Sequence, residues 1–277
     1  MSRQPLFTPA SDWCLRWRDR RHSWRHRSEG GFDSRRYEVA QLADDATPRA
    51  FTIRHHYSHS YVAAVRRYGL YDRSGLVGTA VLSIPTQRRV LTSVFPALVP
   101  YVESVELGRF VLLDAVPGNA ESWFWARCRE LAARSGIRGI VTFSDPIART
   151  DAIGHVVFPG HRGTIYQASN ALYLGRATAR TLYLLPDATV LNDRALSKVR
   201  ASERGHEYVE RLLARWGAAL RPAGMPGTEW LPDALAQAGV RRLRHSGNYR
   251  YAWKVGQRRR YVALGRASAA PYPKEVS

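Results

Sequence analysis

Residues 137–175 read IRGIVTFSDPIARTDAIGHVVFPGHRGTIYQASNALYLG. The run 137–143 is short, apolar and bounded by glycine and proline signals, which predicts a buried strand. It ends in Ser144-Asp145-Pro146 and opens into a stretch dense in groups that bind or react: His155, His161, Tyr166, Gln167, Ser169, Asn170 and Tyr173. Such groups gathered where a strand gives way to a loop describe a site at the carboxyl end of a sheet. The plainer reading is a polar surface loop closed by a helix.

Upstream, Asn119 is a good N-cap for a helix over 120–134, with Phe124, Cys128 and Leu131 on one stripe and Gly136 as its stop. Residues 106–113 predict a strand that leaves through 114–118. A hairpin is expected from 68–71, a turn at 72–75 and a second strand over 76–84, ended by Pro85. Residues 86–103 read as irregular. A first strand falls at 37–42 and a helix within 48–67. That helix would carry His55 and His59 at i and i+4, as two metal ligands can be spaced, but no Asp, Glu or Cys lies close in sequence to complete a set. The alternative is a polar patch near the site.

Downstream, a strand is expected at 181–185 and a short helix at 191–198. Residues 205–220 form an amphipathic pattern, with Val209, Leu212, Leu213, Trp216 and Leu220 on one face. Pro232 reads as a helix start and Gly239 as its end. The basic run Arg241, Arg242, Arg244 and His245 precedes a turn at 246–248 and an alternating strand with Tyr249, Tyr251, Trp253 and Val255. The organisation expected is a basic tail without regular structure over 1–36, a core over 37–190, a basic appendage over 191–256 and a basic tail over 257–277. The appendage either grips DNA or merely completes the fold.

Charge narrows the partner. The 277 residues carry a net charge of +19 and a sequence pI near 10.7. Lysine occurs only at 198, 254 and 274, so nearly all 42 basic residues are arginine, set against 23 Asp and Glu. A GC-rich genome would explain arginine over lysine, but not the shortage of acids. The balance points to nucleic acid. In the tail, arginines interleave with Trp13, Trp17 and Trp24, a composition that could lie on phosphates and stack on bases, or serve no role. Cys14 and Cys128 are the only cysteines, which excludes a disulfide framework and fits a reducing cytosol. No apolar run is long enough to span a membrane, and no h-region precedes residue 40.

The order strand, helix, hairpin, strand, helix, strand, loop, helix resembles the GCN5-related N-acetyltransferase (GNAT) fold. The fold class expected is therefore α/β: a mixed sheet flanked by helices, with a small basic helical appendage. Four pieces sharpen the resemblance: Glu106-Leu-Gly-Arg109, Pro117-Gly-Asn-Ala-Glu-Ser122, Phe143-Ser-Asp-Pro146 and residues 160–170, GHRGTIYQASN. Together they are similar to the Mom family of phage DNA-modification proteins, over roughly residues 50–180. That resemblance implies modification of the N6 amine of adenine in DNA with a methylcarbamoyl or acyl-type group, and protection from restriction. It implies acetyl-CoA or a related acyl-CoA as cofactor, and a bacterial cytoplasm as the place of action. Acetyl-CoA brings no nitrogen, so plain acyl transfer does not make a methylcarbamoyl group. Iron is one proposal attached to the family that the residues neither demand nor exclude.

Carried onto this sequence, the resemblance makes Arg109, Ser144, Asp145 and Tyr166 the working residues. Asp145 would accept the amine proton, with Ser144 orienting it, and Tyr166 would donate to a leaving thiolate or stack. Arg109 would pair with a CoA phosphate, and Gly118, Asn119, Ala120 and Ser122 would hold the pyrophosphate at a helix N-terminus. The usual glycine-rich loop is replaced there by Pro117-Gly118-Asn119. Tyr57, His161, Gln167 and Asn170 are candidate base readers, and Arg241, Arg242, Arg244 and Tyr249 candidate DNA contacts. Each has a plain alternative: an ion pair with Glu106 for Arg109, core packing for Tyr166. Two other functions stay open, an N-acetyltransferase acting on a protein or small amine, and a non-catalytic DNA-binding protein.

Overall fold

The structure, a computed structural model, describes residues 13–18, 21–26, 32–117, 119–265 and 268–273, with backbone alone up to 26. In chain order the elements are β1 (Trp13–Arg18), β2 (Arg21–His26), β3 (Glu38–Gln41), α1 (Ala46–His55), β4 (Ala64–Asp72), β5 (Gly75–Ser83), α2 (Arg89–Thr92), β6 (Ser104–Leu112), α3 (Ala120–Arg134), β7 (Gly139–Ser144), β8 (Arg149–Thr150), β9 (Val156–Phe158), α4 (Thr164–Ala168), β10 (Leu172–Arg176), β11 (Arg180–Leu184), β12 (Val190–Leu191), α5 (Asp193–Arg200), α6 (Glu207–Arg215), α7 (Gly227–Gln237), β13 (Arg241–His245) and β14 (Tyr249–Lys254). They make two compact units. The first is Met1–Ser144, Arg162–Gly175 and Tyr249–Ser277; the second is Asp145–His161 and Arg176–Asn248.

In the first unit seven strands form one mixed sheet, ordered β10-β14-β7-β6-β5-β4-β3. β3 to β6 are antiparallel neighbours, β7 runs parallel to β6, and β14 returns antiparallel to β7. Alternate side chains cover both faces. Ile140, Tyr251 and Trp253 join the core under α3, with Phe124, Trp125, Cys128 and Ala132, while Val141 and Ala252 face Leu91, Phe95 and Leu174. This is the expected α/β fold, a mixed sheet flanked by helices, with the hairpin, central strand, helix and parallel strand in GNAT-like order. The β6–β7 ladder covers only Ser104–Glu106 against Gly139–Val141. Beyond it the strands part, tied by a 3.0 Å hydrogen bond from Thr142 Oγ1 to the Leu107 carbonyl.

The second unit holds a three-stranded sheet, β12-β11-β13, the small β8–β9 ladder and helices α5 to α7. Leu196, Val199, Val209, Leu213, Trp230 and Leu231 form its core.

Several boundaries differ from expectation. Helix α1 stops at His55, where His56 turns extended, and residues from Ala64 onward join the β4–β5 ladder instead. Val62, Val65 and Tyr68 favour that pleated setting. Residues 86–103 contain the short α2. Helix α7 starts at Gly227 behind an extended Pro226, so Pro232 sits inside it. Strand β14, expected in the appendage, is an inner strand of the core sheet. Within 1–36, β1 and β2 pair from Trp13 opposite His26 to Arg18 opposite Arg21, and Phe32 packs on Tyr37 and Trp123.

Candidate active site

Glu106-Leu107-Gly108-Arg109 lies in the middle of β6. Strict alternation would put residues three apart on opposite faces. The ladder with β5 changes register here: Val81 faces Arg109, but Leu82 faces Leu107. Gly108 is the extra residue of a β-bulge, which returns Glu106 and Arg109 to one face. A side chain is crowded at this place, because a Cβ at 108 would lie 2.3 Å from Ser83 Oγ and 3.1 Å from Val62. Leu107 stays in the core.

Glu106 is partly buried. Burial pushes its carboxyl up to about 7, and the Arg109 charge only moderates that rise. Arg109 does not form the ion pair with Glu106 that was its plain alternative. It commits its donors to the Ser60 carbonyl (Nε, 2.8 Å), Ser60 Oγ (Nη2, 2.8 Å) and the Gly108 carbonyl (Nη1, 2.6 Å). Its charge is felt by Glu106, Tyr57 and Tyr166. Tyr166 is buried, with its ring 5.5 Å from Tyr251 and edge-on to Trp253 at 5.6 Å. Burial raises its hydroxyl well above the ordinary tyrosine range, so the proton stays on and the group is a donor. Tyr57 is 48% exposed, an open ring next to these buried groups.

At the start of α3, Asn119 is the N-cap residue, but its backbone is left-handed at φ 68° and its side chain makes no capping bond. A capping side chain needs an extended N-cap to reach back to the first turn. Ser122 Oγ donates to the Asn119 carbonyl at 3.0 Å, and Ala120 is fully buried. Gly118 lies outside the described residues.

In the second unit Asp145 is fully engaged. Its Oδ1 accepts from His245 Nε2 at 2.8 Å and from the Ile147 N–H at 3.0 Å, and its Oδ2 accepts from Arg149 at 2.5 Å. The Gly247 N–H donates to His245 Nδ1 at 3.0 Å. Burial works to raise the Asp145 carboxyl, but His245, Arg149 and Ile147 outweigh it and hold it below the ordinary range. The Arg149 guanidinium lies 4.1 Å from the centre of the Phe158 ring. Burial drives His161 down to about 4, so its imidazole is neutral at neutral pH.

The Mom protein family profile matches residues 36–274. The chain belongs to the Mom protein family. No curated protein matches it. Solved structures similar to this Mom-family chain include a GNAT family N-acetyltransferase from Escherichia coli in complex with CoA, at 12% identity and a TM-score of 0.34, over 49% of this chain and 68% of that one. A tandem GNAT protein from the clavulanic acid biosynthesis pathway is 11% identical, with a TM-score of 0.36, over 82% of this chain and 72% of that one. A spermidine N-acetyltransferase from Vibrio cholerae, in complex with CoA and spermine, is 11% identical, with a TM-score of 0.31, over 56% and 88%.

The expected site of this Mom-family chain divides accordingly. Arg109, Tyr166 and Tyr57 come together, with Glu106 among them. Ser144 is completely buried and turns no surface to a substrate. Asp145 is an acceptor already filled by three protein donors, a poor base for an incoming amine. Gln167 donates to the Arg162 carbonyl at 3.1 Å and to the Tyr251 hydroxyl at 3.2 Å, which bonds it into the fold. Asn170 is exposed and left-handed at φ 59°, the residue that ends α4. Tyr249 is buried in β14, edge-on to Tyr173 at 5.6 Å. Arg241 donates to the Thr150 carbonyl at 2.5 Å, while Arg242 and Arg244 stand exposed on β13. His59 lies beyond the end of α1 and bonds the Ile53 carbonyl, so it shares no helix face with His55. Among the described residues, no three His, Cys, Asp or Glu side chains could hold a metal ion, and no helix is long and apolar enough to cross a membrane. Ser60 and Arg149 escaped the sequence reading, and Glu106 and His245 entered it only as a possible ion-pair partner and as part of a basic run. A glycine inside a strand pattern signals a bulge, and Gly108 marks Glu106 in that way.

Proposed function

We propose that this chain transfers an acyl-type group to the exocyclic N6 amine of adenine in DNA, a mark that shields the DNA from restriction. The observation that carries the reading is Glu106, a carboxyl raised to about 7 beside Arg109 and Tyr166, where β6 and β7 part. DNA as substrate is supported by membership of the Mom family and by the +19 net charge.

The amine of adenine is barely basic, because its lone pair is delocalised into the ring. It needs a base as its nitrogen bonds to the acyl carbon. Glu106, ionised above about pH 7, takes that proton. Tyr166, kept protonated by burial, donates a hydrogen bond to the departing thiolate. The Arg109 charge steadies the developing negative charge. Acetyl-CoA, when bound, supplies the acyl carbon as a thioester. The uncapped first turn of α3 fits the pyrophosphate of such a cofactor, with Asn119, Ala120 and Ser122 as the residues that would hold it.

Mass spectrometry of nucleosides from cells expressing the chain tests this directly. A mass-shifted deoxyadenosine is expected with the wild type and none with Glu106→Gln. Unmodified adenine, or a modified cytosine, would overturn the reading.

A further inference from the structure

A cavity of about 540 Å³ opens in the second unit among α5, α7, β11 and β13. Leu231, Leu235 and Val240 make it apolar, and none of the described residues lining it is a carboxylate. Its charged members are Arg200 and Arg242, both exposed. Tyr183 gives it an aromatic wall. Tyr183 and Arg242 are cross-strand partners, and the guanidinium lies 5.9 Å from the ring centre. Pro232, inside α7, has no N–H to give the Thr228 carbonyl, and both residues line the cavity.

An apolar, aromatic space beside cations takes a flat body bearing an anion. Arg244 decides which kind. It lies on the same face of β13 as Arg242, two residues and roughly 7 Å further on, opposite Thr181. A row of cations leading away from a cavity along a strand suits a chain of phosphates rather than one carboxylate.

We propose that this cavity takes an unstacked base of single-stranded DNA, with Arg200, Arg242 and Arg244 on the flanking phosphates. The base packs on Tyr183 and the aliphatic wall. This rests on DNA being the substrate, and adds that the second unit holds the strand by a base as well as by its backbone.

Fluorescence anisotropy with the full chain and a short labelled single strand tests it. Leu235→Trp fills the cavity without changing charge, and should weaken single-strand binding about tenfold, the scale of one stacked base. Blunt-duplex affinity should stay within about twofold. With the wild type, an abasic strand should bind about tenfold more weakly than one carrying bases. Equal binding of abasic and intact strands would reduce the contact to phosphates and overturn the cavity assignment, whatever the variant does. So would a folded Leu235→Trp chain that binds like the wild type, or a small aromatic carboxylate that fills the cavity without displacing the strand. Nucleoside mass spectrometry reads the enzymatic function separately. Base-dependent binding with unmodified adenine would sink the proposed function and leave the cavity standing. Modified adenine with base-independent binding would do the reverse.

Discussion

His245 joins Asp145 Oδ1 through its Nε2 across 2.8 Å, while its Nδ1 accepts from the Gly247 N–H. The acid in Ser144-Asp145-Pro146 therefore organises its own surroundings. An asparagine at 145 would keep one acceptor oxygen and turn an NH₂ toward Arg149 or His245. Asp145→Asn should cost about 3 kcal/mol of stability, the scale of breaking a buried charge pair, read as a fall in Tm. The carboxyl is held below its ordinary value of 3.8, so this contribution is whole at neutral pH and is lost as pH falls below that value. A variant with unchanged Tm and no activity would make Asp145 the catalytic carboxylate after all.

Glu106 titrates in the opposite sense. As a base it must be ionised, so kcat/KM should rise with pH through about 7 and level off above it. Stability should run the other way. Between the ordinary glutamate value of 4.5 and about 7, the folded chain holds a proton that the unfolded chain has lost. Stability therefore falls as pH rises across that window, by on the order of 3 kcal/mol at most. Glu106→Gln should abolish activity and flatten that fall, measured as denaturant midpoints at pH 5 and pH 8. A steep acidic limb centred well below 6 would remove Glu106 from the mechanism.

Gly108→Ala would drive a methyl group to 2.3 Å from Ser83 Oγ and 3.1 Å from Val62. The strand must then lose either its bulge or its pairing, and a loss of about 2 kcal/mol is expected, with activity lost as Glu106 and Arg109 separate. Adding Ser83→Ala removes the nearest atom and should recover part of both. No coupling between the two substitutions in a double-mutant cycle would argue against the bulge as the organising feature.

The left-handed backbone at Asn119 makes a finer distinction. Asn119→Gly should leave stability nearly unchanged, and Asn119→Val should lose about 1–2 kcal/mol. Acetyl-CoA should raise the Tm of the wild type by binding only the folded chain. Ser122→Glu should erase that rise by adding a second carboxylate, next to Glu121, to the first turn of α3. No rise with the wild type at millimolar cofactor would remove acyl-CoA from the proposal.

Much of the first unit was open to reading because its signals are local. The hairpin from 68 onward, helix α3 with its stripe, and strand β7 are each bounded by turn residues and keep one period throughout. Strand partners are another matter. Nothing in the alternation of Tyr249, Tyr251 and Trp253 names β7 as their neighbour, so β14 reads as part of the appendage. The surroundings of the site residues are hidden for a related reason. Asp145 looks reactive because proline and a loop follow it, but its proton donor, His245, lies far along the chain. Glu106 looks like a surface ion pair because Arg109 is nearby. Its raised carboxyl comes from burial, which no window of sequence records, and only Gly108 hints that alternation breaks there.

The return of β14 sets the order in which the protein can be made. Its place is inside the sheet, between β7 and β10, and the whole second unit is threaded through the chain before it. Until the ribosome has delivered Tyr249–Lys254, the edge of β7 has no partner, and Trp125 lacks the Trp253 ring it meets at 5.0 Å. A nascent chain paused before residue 249 would carry a raw, apolar strand edge, open to any other strand. The Mom-family core thus cannot be finished, and its carboxyl and arginine cannot be set, before residue 254 has been translated.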